Sequence, residues 1–332
     1  GSMNLAQRGT SFTVTNEYGL DRWFCRENTD GALTFSQDST SPDGFSKSLK
    51  VNVDTADSSI GSSQFAYLAQ RIEGFNIDTF AFGSSAAKTI VLSFYVRCSV
   101  TGKFGGAVTN GGNNDRSFAF TYDVNSANTW ERKSVTIVGD TTGTWNIDNS
   151  QEMAVFWSLG AGSGHKKAEG SWDATANVQS ASEAGVELIG NASATWFITG
   201  VQLEVGQNPT EFEHQKFSQT LEQCQRYFTR ILGNQEYIGQ NFAGDTCDIT
   251  IFLPTTMRER PSIFVEDAQN TANKASVYQS GSYTHGISSA INTGRSREHI
   301  VMMRNTGTLS PSGTVDDAVQ VQFDDFQADA EL

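Results

Sequence analysis

Residues 196–232 read WFITGVQLEVGQNPTEFEHQKFSQTLEQCQRYFTRIL, and this stretch divides the chain. Its first part is a strand. Val201, Leu203 and Val205 alternate with Gln202 and Glu204, the period-two signature of a half-buried strand, and Trp196 and Ile198 extend it upstream. Gly200 interrupts the phase, as a bulge does. Gly206 closes the run. Asn208-Pro209 then turns the chain, because proline has no N–H to give to a ladder. Glu211, Glu213, His214 and Lys216 make a short polar linker.

The second part reads as one helix. Phe217, Leu221, Cys224, Phe228 and Ile231 are spaced four, three, four, three, a coiled-coil seam of about two heptads. Ser218 or Thr220 can cap its start, with Thr220-x-x-Gln223 as a capping box, and Gly233 supplies the stop. A helix this short is marginal alone because nucleation is costly. Its stripe must bury either against its own domain or against sister chains around a threefold axis.

Upstream, short alternating runs predict an all-β domain. The clearest strands are Ser48–Val53, Phe65–Ile72, Thr89–Arg97, Ser117–Tyr122, Glu131–Val138, Met153–Leu159 and Thr195–Val205, separated by loops rich in Gly, Asn, Asp and Ser. Within one of them Leu92, Phe94 and Val96 face inward and Ser93 and Arg97 outward. About 200 residues in one β-sandwich is ordinary. Downstream, residues 234–332 contain no Trp, whereas all six lie at or before Trp196. Cys247, Ile249, Ile251 and Leu253 alternate with Asp248, Thr250 and Phe252, and further strands follow at Ser262–Glu266, Ala275–Tyr278, Ile300–Met303 and Val319–Phe323. The Gly/Ser/Asn stretch from Gln279 to Gly294 reads as a loop pair. The plan is therefore residues 1–3 as a start, with Gly1-Ser2 an expression scar; 4–206 as a large β-sandwich; 207–233 as linker and helix; and 234–332 as a smaller β-sandwich. Exposed edge strands there favour an oligomer that covers them.

The formal net charge of −14 argues against nucleic acid, which requires a basic face. No run of 18 apolar residues predicts a membrane span, and no signal peptide is visible. Cys25, Cys98, Cys224 and Cys247 form no CxxC, and no His lies at zinc-ligand spacing, so free and mostly buried thiols are expected.

No catalytic motif stands out. With 37 acidic residues some carboxylate pair is inevitable, and Asp140, Asp148, Asp173 and Glu187 read as ordinary loop or strand-end carboxylates. GxSxG, HExxH, P-loop and EF-hand patterns are lacking, and His165, His214, His285 and His299 are scattered. Binding is the better expectation. A sugar lays its CH face on an indole while its hydroxyls take hydrogen bonds from polar neighbours. Trp145, between Thr141–Thr144 and Asn146/Asp148, and Trp172, beside Lys166, Lys167 and Asp173, have such surroundings. The ordinary alternative is a Trp that caps a core edge. Trp23, Trp130, Trp157 and Trp196 read as core.

Several motifs carry a family resemblance. GVQLEVG (200–206), TEFEH (210–214) and LEQCQRYF (221–228) resemble the junction of bacteriophage tail-fibre and tail-spike proteins, where a carbohydrate-binding-module-like jelly roll leads into a short helix. Asn4-Leu5, Gly9-Thr10-Ser11-Phe12, Leu20-Asp21-Arg22-Trp23, LAQRIEG (68–74), AKTIVLSFYV (87–96), TWERKSVTIVGDTTGTW (129–145) and Met257-Arg258-x-x-Pro261 are similar too, so the resemblance spans most of residues 4–232. It implies a jelly roll with a concave face, to which Arg71 with Gln70 could point. It implies a homotrimeric receptor-binding protein on the virion tail, joined to other tail proteins and acting outside the cell on host surface polysaccharide without cleaving it. The module-like start after Met3 implies a piece of a longer fibre. No cofactor is expected; structural calcium occurs in related modules, and Asp/Asn-rich loops offer oxygens for it. A glycan-depolymerising spike and a purely structural fibre segment stay open as alternatives. So does a receptor site in the Gln279–Gly294 loops.

Overall fold

The computed structural model describes residues 1–111, 115–241, 246–279, 282–307 and 318–332. Among the described residues the chain is all-β apart from one α-helix and short 3-10 turns, and it divides into two compact units, Gly1–His214 with Leu332, and Gln215–Glu331. No helix among the described residues is long and apolar enough to cross a membrane.

The first unit is a jelly-roll sandwich of two antiparallel sheets. One sheet runs, in spatial order, Ser11–Thr13, Ala32–Asp38, Ser48–Thr55, Thr195–Val205, Ile90–Cys98 and Glu131–Ile137. The other runs Trp172–Asp173, Ser117–Val124, Gly102–Asn110, Gln151–Ala161, Phe65–Glu73, Trp23–Glu27 and Asn16–Tyr18. Period-two alternation places Leu92, Phe94 and Val96 from one sheet against Trp23, Leu68 and Trp157 from the other. Trp157 and Trp196 are fully buried at the centre. Trp196 donates its indole N–H to Tyr122 Oη at 3.2 Å, whereas the buried Trp157 N–H has no partner.

All seven strands expected upstream form. Gly200 sits at φ +60°, where the pairing of Thr195–Val205 with Ile90–Cys98 shifts register, so the interruption is a bulge. Ser93 differs from expectation: it is buried, paired with Gln202 on the face where the linker folds back. There Gln202 accepts from the Glu213 N–H (2.8 Å) and Phe212 packs on Phe45 (5.1 Å). The linker is pinned to the sandwich, not merely solvated.

The second unit is a single sheet wrapped around one core. Its order is Phe228–Asn241, Thr246–Phe252, Ile300–Thr306, Ser282–Ile291, Lys274–Gln279, Ala318–Asp329 and Ser262–Glu266. A further ladder between Phe228–Asn241 and Ala318–Asp329, from Phe228↔Asp329 to Gln240↔Ala318, closes it. Val321, Phe323 and Phe326 fill the centre.

Two expectations fail here. The helix spans only Phe217–Gln225, and Phe228 and Ile231 lie on the strand that follows, so Phe217, Leu221, Cys224, Phe228 and Ile231 form no continuous helical seam. A two-turn helix gains little by extending, whereas the strand buries Phe228, pairs with the last strand and aligns Arg230 with Asp325 (3.0 and 2.8 Å). The helix also starts earlier than its cap signal: Gln219, not Gln223, reaches back to the Lys216 N–H (3.3 Å). Gly233, expected as the helix stop, takes φ +87° at a register shift between Leu232 and Gln235. The second failure is the loop pair at Gln279–Gly294. Ser282–Ile291 is a strand in which Ile287 and Ser289 are buried between exposed neighbours; residues 280–281 lie outside the described set.

All four cysteines are free and buried, as expected. Burial pushes the Cys98 and Cys247 thiols up to about 11, and Cys25 higher still.

Candidate functional site

The seven-stranded sheet of the first unit has an outer face that the core does not use. In Phe65–Glu73, Ala66 and Leu68 join the core, so Phe65, Tyr67, Ala69 and Arg71 project the other way. In Trp23–Glu27, Trp23 and Cys25 face in, leaving Phe24 and Arg26 outside; in Gln151–Ala161, Val155 and Trp157 face in, leaving Phe156 outside. Phe24, Phe65, Tyr67, Ala69, Tyr18 and Phe156 make a second apolar layer on this face. Part of it is roofed by residues following Ala161, whose Val178 and Ala181 pack on Ala107 and Ala119.

Where the roof stops, a groove of about 420 Å³ opens. Its floor is Phe65, Tyr67 and Phe156, and its rim carries Arg26, Arg71, Thr109, Gln151, His165, Asn177 and Gln179. Arg26 lies over the floor ring of Phe65 at 5.0 Å, and Arg71 over the adjoining ring of Phe24 at 3.7 Å. Burial raises the Tyr67 phenol above its ordinary range, opposed by the neighbouring positive charges of Arg26 and Arg71. Arg71 also donates to the main-chain oxygen of Leu332, the last residue of the chain. Gln179, 8% exposed, keeps a buried side-chain oxygen with no partner. Such an orphan costs stability and marks an unmet hydrogen-bonding need. His165 is fixed between the carbonyls of Asn177 (2.9 Å) and Ser63 (3.2 Å).

The expected site residues separate. Arg71 lines the groove. Gln70, its neighbour, lies on the opposite side of the strand and donates to the Arg22 carbonyl at 2.9 Å. Trp145 and Trp172 do come together, ring centroids 5.6 Å apart and perpendicular, but outside the groove. They pack edge-on with Phe82 (5.0 and 5.8 Å), and their N–H groups are taken by Asp140 (3.3 Å) and the Val138 carbonyl (2.7 Å). Both indoles are half-buried against the core. Arg26 and Gln179 had no signal in sequence; only the outward phase of strand 23–27 could have suggested Arg26.

The suspect carboxylates are each engaged. Asp140 takes a two-pronged bond from Arg116 (2.8 and 2.7 Å), Asp173 pairs with Lys167 (2.7 Å), Glu187 pairs with Lys166, and Asp148 accepts from the Ser150 N–H (2.8 Å). Among the described residues no three His, Cys, Asp or Glu side chains converge as a metal site would require. Of the oligomerisation residues, Phe217 is 62% exposed, Leu221 is half-buried, Cys224 and Phe228 are buried, and Ile231 packs on the second core.

No protein-family model matches the chain, and no curated protein is similar to it. Among solved structures it is similar to the enzymatically active domain of tailspike protein 4 of bacteriophage CBA120 (10% identity, 56% of this chain and 20% of that chain, TM-score 0.32). It is similar to the family 11 carbohydrate-binding module of Clostridium thermocellum in complex with a β-1,3-1,4-mixed-linked tetrasaccharide (10% identity, 62% of this chain and 99% of that chain, TM-score 0.32). It is also similar to the module TmCBM61 in complex with β-1,4-galactotriose (11% identity, 55% of this chain and 88% of that chain, TM-score 0.31). The chain thus spans a fifth of the tailspike domain's length. These likenesses are distant, and the site stands on its own geometry.

Proposed function

We propose that this chain recognises glycan in the outer-face groove of its first unit and does not cleave it. The observation that carries the reading is the groove's make-up: a rigid sheet face rimmed by guanidinium and amide groups, with an unmet hydrogen-bond need at Gln179. Sugars offer many hydroxyls in fixed array, and such a rim answers them. The motifs around residues 200–228 support placement in a phage tail fibre, acting on host surface polysaccharide from the virion.

A homotrimer fits this role. Phe217, Leu232, Ile238 and Phe252 are large apolar side chains of the second unit, each more than 60% exposed, and sister chains would cover them. Three weak sites bound together gain roughly 10²–10⁴-fold in avidity where geometry allows.

A glycan array probed with the wild-type chain tests the reading. Binding to a defined set of polysaccharides that drops about tenfold in Arg26→Ala is the expected result. Silence on every glycan, with the fold intact, would reject it in favour of a structural segment. Release of new reducing ends would reassign the chain as a depolymerase.

A further inference from the structure

The lining of the groove has a one-sided charge. Arg26 and Arg71 stand in it, and no Asp or Glu does among the described residues, although the whole chain carries 37 acidic against 23 basic residues. On so acidic a chain, a groove without a carboxylate is a local reversal of sign. The two cations are also placed for use. Each guanidinium lies over a ring, at 5.0 Å from the centroid of Phe65 and 3.7 Å from that of Phe24. Among the described residues no salt bridge to Asp or Glu engages Arg26, whereas Arg71 gives one N–H to the Leu332 main-chain oxygen. Arg26 is exposed at the rim.

We infer that the groove selects a sugar bearing an anionic group, a carboxylate or a sulfate ester, held by Arg26 and Arg71 while the neighbouring hydroxyls meet Gln151, Asn177 and Gln179. A planar guanidinium presents paired N–H donors that match such an oxyanion, and charge-assisted hydrogen bonds are about twice as strong as neutral ones. Arg26 already lies over the Phe65 ring, which leaves a neutral sugar less bare aromatic face to stack on. The inference rests on the groove being the glycan site and adds the class of sugar.

The test is calorimetry of the intact chain with three probes: an oligouronate, a sulfated oligosaccharide and a neutral oligoglucoside of equal length. The anionic probes are expected to bind at least tenfold more tightly than the neutral one. That binding should weaken as salt rises, because rim charges are screened. Arg26→Gln should cost the anionic probes roughly tenfold and so remove most of their advantage over the neutral probe. Arg26 is exposed, so the variant should fold, and the salt series on wild type needs no variant at all. Neutral and anionic probes binding equally, with no salt dependence, would overturn the inference and leave glycan recognition standing. No binding of any probe, with the array also silent, would overturn both.

Discussion

At the scale of single residues, the Arg116–Asp140 pair explains why Trp145 and Trp172 sit where they do. Asp140 is 2% exposed and holds Arg116 by two hydrogen bonds, the Thr142 N–H at 3.2 Å and the Trp145 N–H at 3.3 Å. Burial works against its ionisation, but Arg116 and these N–H donors outweigh it, so its carboxyl titrates below the usual range. The folded value lies below the unfolded one, so the pair's stability is present above about pH 3.9 and is lost as pH falls through the lower folded value. Arg116→Ala leaves a buried, unpaired carboxylate and should cost about 3 kcal/mol at pH 7, read from the urea midpoint. The deficit should shrink on acidification; a constant deficit from pH 7 to pH 2 contradicts the assignment.

Glu131 makes a second, independent acid-sensitive clasp. Burial opposes its charge, yet Lys133 and the N–H groups of Asn125 and Ser126 hold it down at about 2. Glu131→Ala should lower stability by about 1.5–3 kcal/mol near neutral pH and lose that effect as pH falls from about 4.3 towards the folded value. Neither clasp was legible in sequence. Arg116 and Asp140 are 24 residues apart, and nothing in their spacing joins them. Arg71 was legible because its strand was. Gln70 was misread because adjacent strand residues cannot serve one face.

Among elements, the strands were legible and the helix only partly so. Thr195–Val205 matches its expected bounds because alternation, bulge and closing glycine all agree. The seam residues misled because four-three spacing is compatible with a helix, while Phe228 and Ile231 also serve a strand whose partner, Ala318–Asp329, lies about a hundred residues away. That partner itself was underestimated beyond Phe323, since Asp324, Asp325 and Asp329 are poor strand formers that pairing nevertheless retains. The Ser282–Ile291 strand was hidden by its small polar residues.

These assignments separate two variants. Phe228→Asp puts an unpaired charge at a 2% exposed position and should cost several kcal/mol by denaturation. Phe217→Asp, at a 62% exposed position, should leave the melting of each chain within about 0.5 kcal/mol. If the exposed apolar face serves sister chains, Phe217→Asp should lower the assembled mass seen by light scattering. An unchanged trimer would remove Phe217 from the interface, and a monomeric wild type at micromolar concentration would remove the trimer.

For the whole molecule, a large sandwich presents a groove, and a second, closed sheet presents apolar side chains suited to association. Division into two β modules was readable from the switch in composition and from the junction at 196–232. The groove was not, because it is assembled from residues 26, 71, 109, 151, 156 and 179, each unremarkable in its own segment. Tryptophans drew the eye instead, and they turn out to support the sandwich edge with their N–H groups already engaged.

The most direct measurement is calorimetric titration of the best glycan from the array into three proteins: wild type, Arg26→Ala, and Trp172→Ala. Recognition in the groove predicts an affinity about tenfold weaker for Arg26→Ala and unchanged for Trp172→Ala. The reverse pattern, with Trp172→Ala abolishing binding and Arg26→Ala matching wild type, would place recognition at the tryptophan cluster and contradict the account.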